Sequence, residues 1–169
     1  MFRRLAVILV LVFFFFSCGK VVDKGNFHLS KENTYIIVPF INYTDTPLAG
    51  YRVASIFGAL LKAKGFKVNN TPLLINGDIY SLDKISKKDI YRYICRYKNK
   101  ADYIITGTVN EFSYKIGLDN EPAVSITIYL IDPKTGKVIK AATLSADGSP
   151  YDSLSTITQT LLRRVVAND

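Results

Sequence analysis

Three strand-type stretches crowd the second half of this chain, and the short connections between them restrict the fold more than any other feature. Tyr103-Ile104-Ile105-Thr106-Gly107-Thr108-Val109 is dense in β-branched residues and runs on toward Tyr114. Val124-Ser125-Ile126-Thr127-Ile128-Tyr129-Leu130 alternates apolar with polar at its start, the period of a strand with one wet face. Val138 to Leu144 is the third, set off by the tight turn Asp132-Pro133-Lys134-Thr135-Gly136. A parallel crossover needs roughly a dozen residues or more. These three strands are therefore predicted to be antiparallel neighbours.

The first half has a different rhythm. Tyr35-Ile36-Ile37-Val38-Pro39-Phe40 is a β-branched run, predicted to be a strand stopped by Pro39. A polar loop through Asn42, Thr44, Asp45, Thr46 and Pro47 follows, with Thr46 or Asp45 expected to cap a helix that carries Pro47 in its first turn. Val53, Ile56, Phe57, Leu60 and Leu61 recur at helical spacing until Gly65, and Phe66-Lys67-Val68 begins a short strand. A loop is expected over 71–82. A second helix is expected over 83–98, with Ile85, Ile90, Ile94 and Tyr97 toward the core. Its outer face carries Lys84, Lys87, Lys88, Arg92, Arg96 and Lys98 against Asp83 and Asp89. A solvated surface is the plain reading of that face; lipid head groups or an acidic partner are the alternative. Ser149 and Pro150 are expected to open a last helix lined by Leu154, Ile157, Leu161, Leu162 and Val165. The order β-α-β-α-β-β-β-α describes an α/β (α+β) fold, a mixed sheet packed by helices.

The first twenty residues follow a different logic. Arg3 and Arg4 precede an apolar run from Leu5 to Phe16, which ends at Ser17-Cys18. The run is shorter than the ~20 residues of a spanning helix. Positive, apolar, small residue, cysteine is the order of a bacterial lipoprotein signal. The expectation is a signal peptide over 1–17, a lipidated Cys18 and tether over 18–33, and a single domain over 34–169. The covalent lipid on Cys18 is the only cofactor expected. Gly19, where Asp would suggest inner-membrane retention, favours the outer membrane with the domain on its periplasmic face. Loss of Arg3 and Arg4 lowers the formal net charge by two, from +8 to +6. A basic exported protein suits anionic lipid or polymer and excludes nucleic acid as a partner. With Cys18 acylated, Cys95 is left alone and reads as a buried inert thiol, with an intermolecular bridge as the alternative.

Catalytic chemistry finds little support. The one histidine, His28, falls in the expected tether, so a histidine-based triad has no positioned base. No Cys and His cluster signals zinc, and no glycine loop signals phosphate binding. Asp119 and Glu121 pair within Gly117-Leu118-Asp119-Asn120-Glu121-Pro122, a hairpin turn rather than an acid–base pair. One such loop per subunit of a ring would concentrate negative charge around an opening, the arrangement that guides cations. No enzyme is expected.

Three segments, in order, resemble the PelC family of outer-membrane lipoproteins, which serve Pel exopolysaccharide export. They are Val38-Pro39-Phe40-Ile41-Asn42-Tyr43-Thr44-Asp45-Thr46-Pro47-Leu48-Ala49-Gly50, then Thr106-Gly107-Thr108-Val109, then Lys115-Ile116-Gly117-Leu118-Asp119-Asn120-Glu121-Pro122-Ala123-Val124. The resemblance implies a homo-oligomeric ring, a dodecamer, with an electronegative funnel facing the periplasm. It implies a PelB-like outer-membrane porin and scaffold as partner, and a cationic, partly deacetylated exopolysaccharide as cargo. On this reading Asp119, then Glu121, are the lumen acids, and Arg52 serves a subunit interface. Such rings are expected to present aromatic residues to the membrane. This chain has no tryptophan, so Tyr91, Tyr93 and Tyr97, or Phe112 and Tyr114, stand in that role.

Two other readings share the wider fold. A tethered activator of a penicillin-binding protein would work as a monomer on a long tether. Residues 19–33 reach only about 50 Å when fully extended. A curli-type channel would need spare strands of roughly 9–11 residues to build a barrel, and the chain has none.

Overall fold

In the computed structural model, residues 27–69, 86–116 and 120–166 are described. They form a six-stranded mixed sheet with three helices. The strands are β1 (Thr34–Ile37), β2 (Ile41–Asn42), β3 (Lys67–Val68), β4 (Tyr103–Tyr114), β5 (Pro122–Ile131) and β6 (Val138–Asp147). The helices are α1 (Ala49–Ala63), α2 (Lys87–Tyr97) and α3 (Leu154–Val166). Sheet order is β3-β1-β4-β5-β6, with β2 continuing along β4 beyond β1. As expected, β4, β5 and β6 form an antiparallel meander, while β1, β2 and β3 are parallel additions.

As expected, the first strand ends ahead of Pro39, at Ile37, and the chain re-enters the sheet as a separate short strand. β1 pairs Ile37 with Ile105, and pairing with β4 resumes at Ile41 opposite Thr108. Four steps along the chain thus match three along β4, so one extra residue bulges out at 38–40. Pro39 sits in that bulge, where its missing N–H costs the ladder nothing. The Val38 N–H still bonds Ile105 O at 2.9 Å, and the Thr106 hydroxyl bonds Pro39 O at 3.0 Å. The bulge also flips the side-chain alternation. Ile36 and Val38 face one side of the sheet, whereas Phe40 joins Ile37 on the other.

That second side holds the main core. α1 and α3 lie on it, burying Val53, Phe57 and Leu61 from α1 and Leu154, Ile157, Leu161, Leu162 and Val165 from α3. Phe40 is packed where two glycines let backbone come close. A Cβ on Gly50 would lie 1.9 Å from Phe40 O, and one on Gly107 would lie 2.7 Å from the Phe40 ring. Gly50 and Gly107 both belong to the segments that carry the family resemblance, and this packing is their physical reason.

The opposite side has a smaller core. Among the described residues α2 covers it, setting Ile90 and Ile94 against Ile36, Val38, Ile104 and Ile131. The expected helix over 83–98 begins its described part at Ser86. The Ser86 hydroxyl accepts the Asp89 N–H while the Asp89 carboxylate accepts the Ser86 N–H, a capping box. Ile85 and the loop over 71–82 lie outside the described residues.

Several local expectations need correction. α1 is capped by neither Thr46 nor Asp45. Leu48 holds the N-cap position with φ 60°, and Pro47 lies ahead of the helix. Thr46 is drawn away because its hydroxyl bonds Phe112 O, tying the loop to β4. Asn42 is in β2 rather than in a loop, and its amide still braces the loop by donating to Thr46 O. Ser153, not Ser149 or Pro150, caps α3 by accepting the Thr156 N–H at 3.1 Å. Cys95 is exposed, because it follows the inward Ile94 by one position, about 100° around α2. Phe27 and Leu29, within the expected tether, are buried in the main core.

Candidate functional site

The direction of the elements sorts charge to two ends of the sheet. β1, β3 and β4 run parallel, so they start together at one end, the base. α1 and α2 also finish toward that end, at Ala63 and at Tyr97 shortly before β4. The β4–β5 hairpin and the loops leading into α1 and α3 sit at the other end, the tip.

The tip is acidic. Glu111, Glu121, Asp147, Asp45 and Asp152 lie on its strands and loops, with Lys115 among them. Glu121 is half-buried, and its carbonyl closes the hairpin by accepting the Lys115 N–H at 2.8 Å. Lys115 reaches the other way, to Asp147 on β6 at 2.8 Å. That hydrogen bond holds the Lys115 ammonium above the usual lysine range. Asp152 is held below the usual carboxylate range by the Ser149 N–H and hydroxyl. Asn120 adopts φ 48° at the turn. Asp119, the first expected lumen acid, lies outside the described residues, as does Cys18. The hairpin places Glu121 at the same end as Glu111 and Asp147, a grouping that spacing alone did not reveal.

Arg52 is far from Glu121 in sequence and lies exposed on the first turn of α1, its N–H bonding Leu48 O at 3.0 Å. Of the aromatics expected at a membrane, Phe112 is excluded because it is fully buried in the main core. Tyr93 and Tyr97 stack on each other at 6.3 Å and are half-buried. Tyr91 and Tyr114 are exposed.

Sequence reasoning missed a second surface. Beyond α2, no described element covers this face of the sheet, which is lined with hydroxyls. Thr108 donates to Asn110, Asn110 donates to Thr127, and Thr127 meets Thr143 at 3.1 Å. Ser125 and Ser145 pair at 2.8 Å. A groove of about 440 Å³ runs beside this ladder, between Tyr43, Lys87 and Tyr129. The alternation of Ser125, Thr127 and Tyr129 was the visible signal that this side of β5 is wet. Among the described residues, no group of three or more His, Cys, Asp or Glu is placed to hold a metal. No described helix is long and apolar enough to cross a membrane.

No protein-family model matches the chain. No curated protein matches it either. Solved structures do. The lipoprotein GNA1162 from Neisseria meningitidis aligns with a TM-score of 0.57 at 20% identity, over 79% of this chain and 95% of that one. The mixed sheet with two helices on one face and one on the other is thus a domain architecture found in a bacterial lipoprotein. A closer match is the PelC dodecamer from Paraburkholderia phytofirmans, with TM-score 0.66, 30% identity, and coverage of 89% of this chain and 96% of that one. A single-substitution variant of that dodecamer aligns with a TM-score of 0.65 over the same shares. This chain belongs to the PelC family.

Proposed function

We propose that this chain is an outer-membrane export lipoprotein, anchored through Cys18 on the periplasmic face, that assembles into a homo-oligomeric ring. The ring guides a cationic exopolysaccharide toward a PelB-like porin. The observation that carries this reading is the 30% identity, over 96% of its length, to a protein solved as a dodecamer. The acidic tip supports it. A closed ring repeats one surface around an axis, so Glu121, Glu111 and Asp147 repeated around an opening would make a strongly negative rim. A negative rim holds a cationic polymer near the opening without binding any sugar tightly. Asp119 and Glu121 are assigned to that rim, and Arg52 to the contact between neighbours.

The test is the mass and shape of the lipidated protein extracted from outer membranes in mild detergent. Closed rings with a central opening support the reading; a monomer across a wide concentration range overturns it. In cells, Asp119→Lys with Glu121→Lys is expected to impair polymer export while leaving the rings intact. Normal export by that variant removes the two acids from the mechanism.

A further inference from the structure

The hydroxyl-lined face of the sheet carries chemistry that an acidic rim does not call for. Register sets its residues in rows. Thr108, Thr127 and Thr143 stand opposite one another on β4, β5 and β6. Glu111, Ser125 and Ser145 form the next row toward the tip. Residues directly opposed across antiparallel strands share a face, so Glu111 stands on the same face as the hydroxyls. The irregularity in β4 between Val109 and Glu111 is the cause, because a bulge shifts the alternation of side chains. Successive rows lie two residues, or about 7 Å, apart. Glu111 is exposed.

Toward α2 this face deepens into the groove of about 440 Å³, a volume within the roughly 300–1,000 Å³ of small-ligand sites. Tyr43 stands at its edge with a ring 61% exposed, although the Tyr43 N–H is fixed to Val109 O at 3.0 Å. Tyr129 lines it from β5. Thr108, Asn110 and Thr127 are bonded in series along it. Those bonds leave Asn110 a second N–H and each hydroxyl a free lone pair. Ile41, Ile90 and Ile131 make the α2 end apolar, and Lys87 is the one cation among the described lining residues.

These groups match a pyranose ring. Its C–H face suits a tyrosine ring, and its hydroxyl fringe suits an amide and a row of hydroxyls. The apolar end suits the methyl of an acetamido group. One row further, the Glu111 carboxylate suits an ammonium. Other ligands fit less well. An anionic ligand would meet Glu111 with only Lys87 to offset the repulsion. An apolar ligand would strip water from the hydroxyls and the amide without replacing it.

We propose that this face of β4, β5 and β6 binds an amino-sugar chain, with an N-acetylated residue in the groove between Tyr43 and Tyr129 and the ammonium of a deacetylated residue at Glu111. That this chain is the exported cargo rests on the function proposed above; the sugar chemistry rests on the groove alone.

The test titrates the lipidated protein, in mild detergent, with hexasaccharides in a calorimeter. The probes are fully acetylated, partly deacetylated and fully deacetylated hexamers of glucosamine and of galactosamine, with maltohexaose as a sugar lacking nitrogen. A partly deacetylated hexamer is expected to bind most tightly, at least about tenfold more tightly than maltohexaose. Tyr43→Ala should weaken it about tenfold. Glu111→Gln should weaken it about fivefold, more so at low salt, and should leave the fully acetylated hexamers unaffected. Tyr151→Ala, which removes another exposed ring, should change nothing. Binding of none of the amino-sugar hexamers, equal binding of maltohexaose, or indifference to Tyr43→Ala or to Glu111→Gln overturns the proposal. So does loss of rings in either variant, which would make this face a contact between copies. Particle mass keeps the two readings apart. Rings that bind no sugar overturn the sugar face alone, and a monomer that binds the amino-sugar hexamer overturns the ring alone.

Discussion

Replacing Gly50 with alanine sets two energies against each other. Gly50 is the second residue of α1, and alanine is favoured over glycine inside a helix by up to about 1 kcal/mol. Propensity alone therefore predicts a more stable protein. The structure predicts the opposite. The added Cβ would lie 1.9 Å from Phe40 O and 2.8 Å from Phe40 C. A carbon and a carbonyl oxygen in ordinary contact sit about 3.3 Å apart, so α1 must withdraw by roughly 1.4 Å. The obstacle is backbone of the bulge, which cannot rotate away as a side chain could. Withdrawal stretches the Phe40 N–H to Gly50 O bond, already 3.3 Å, and loosens Val53, Phe57 and Leu61 against the sheet. Overpacking of this kind costs about 1–3 kcal/mol, and the weakened hydrogen bond about 1 kcal/mol more. After the propensity gain, a net loss of about 2 kcal/mol is expected, or about 4–8 °C in Tm for a domain of this size. Urea unfolding at fixed protein concentration should show a lower midpoint with an unchanged slope. Stability equal to or above that of the parent refutes the argument. Phe40→Leu should not rescue Gly50→Ala, because the Phe40 ring is not the obstacle.

Two smaller perturbations test other parts of the fold. Ser86→Ala removes half of the α2 capping box and should cost about 1 kcal/mol. The Ser86 hydrogen bonds hold the Asp89 carboxyl below the ordinary aspartate range, so the stability Asp89 brings is present above that range and lost as pH falls through the lower folded value. Ser86→Ala should therefore flatten the acid limb of the stability curve as well, and an unchanged limb would count against the box. Tyr51 is pushed up to about 12, chiefly by burial and then by neighbouring Tyr93 and Asp89. A phenol raised from 10.0 keeps its proton longer when folded, so its contribution is complete below pH 10 and is lost as pH rises toward 12. Tyr51→Phe should remove that part of the alkaline decline in Tm. A decline identical to the parent's would mean that other groups carry it.

The sequence by itself determined the parts of this protein that depend on periodicity and on short connections. The β4–β5–β6 meander was legible because tight turns leave consecutive strands no option but to pair. The inward faces of α1 and α3 were legible from the spacing of Val53, Phe57 and Leu61, and of Leu154, Ile157 and Leu161. Family membership was legible in the segments around Gly50, Gly107 and Asp119. Tertiary structure decided whatever depends on a partner distant in the chain. Pro39 marks the end of β1, but only β4 shows that the chain pairs again beyond it, at Ile41 and Asn42. Thr46 reads as a helix cap until Phe112 offers its carbonyl. Cys95 reads as buried until the orientation of α2 is set by Ile90 and Ile94. The division of charge is the largest such case. A net charge is one number, and only the arrangement of the strands sets Lys31, Lys67 and Lys100 at the end where β1, β3 and β4 begin and Glu111, Glu121 and Asp147 toward the other.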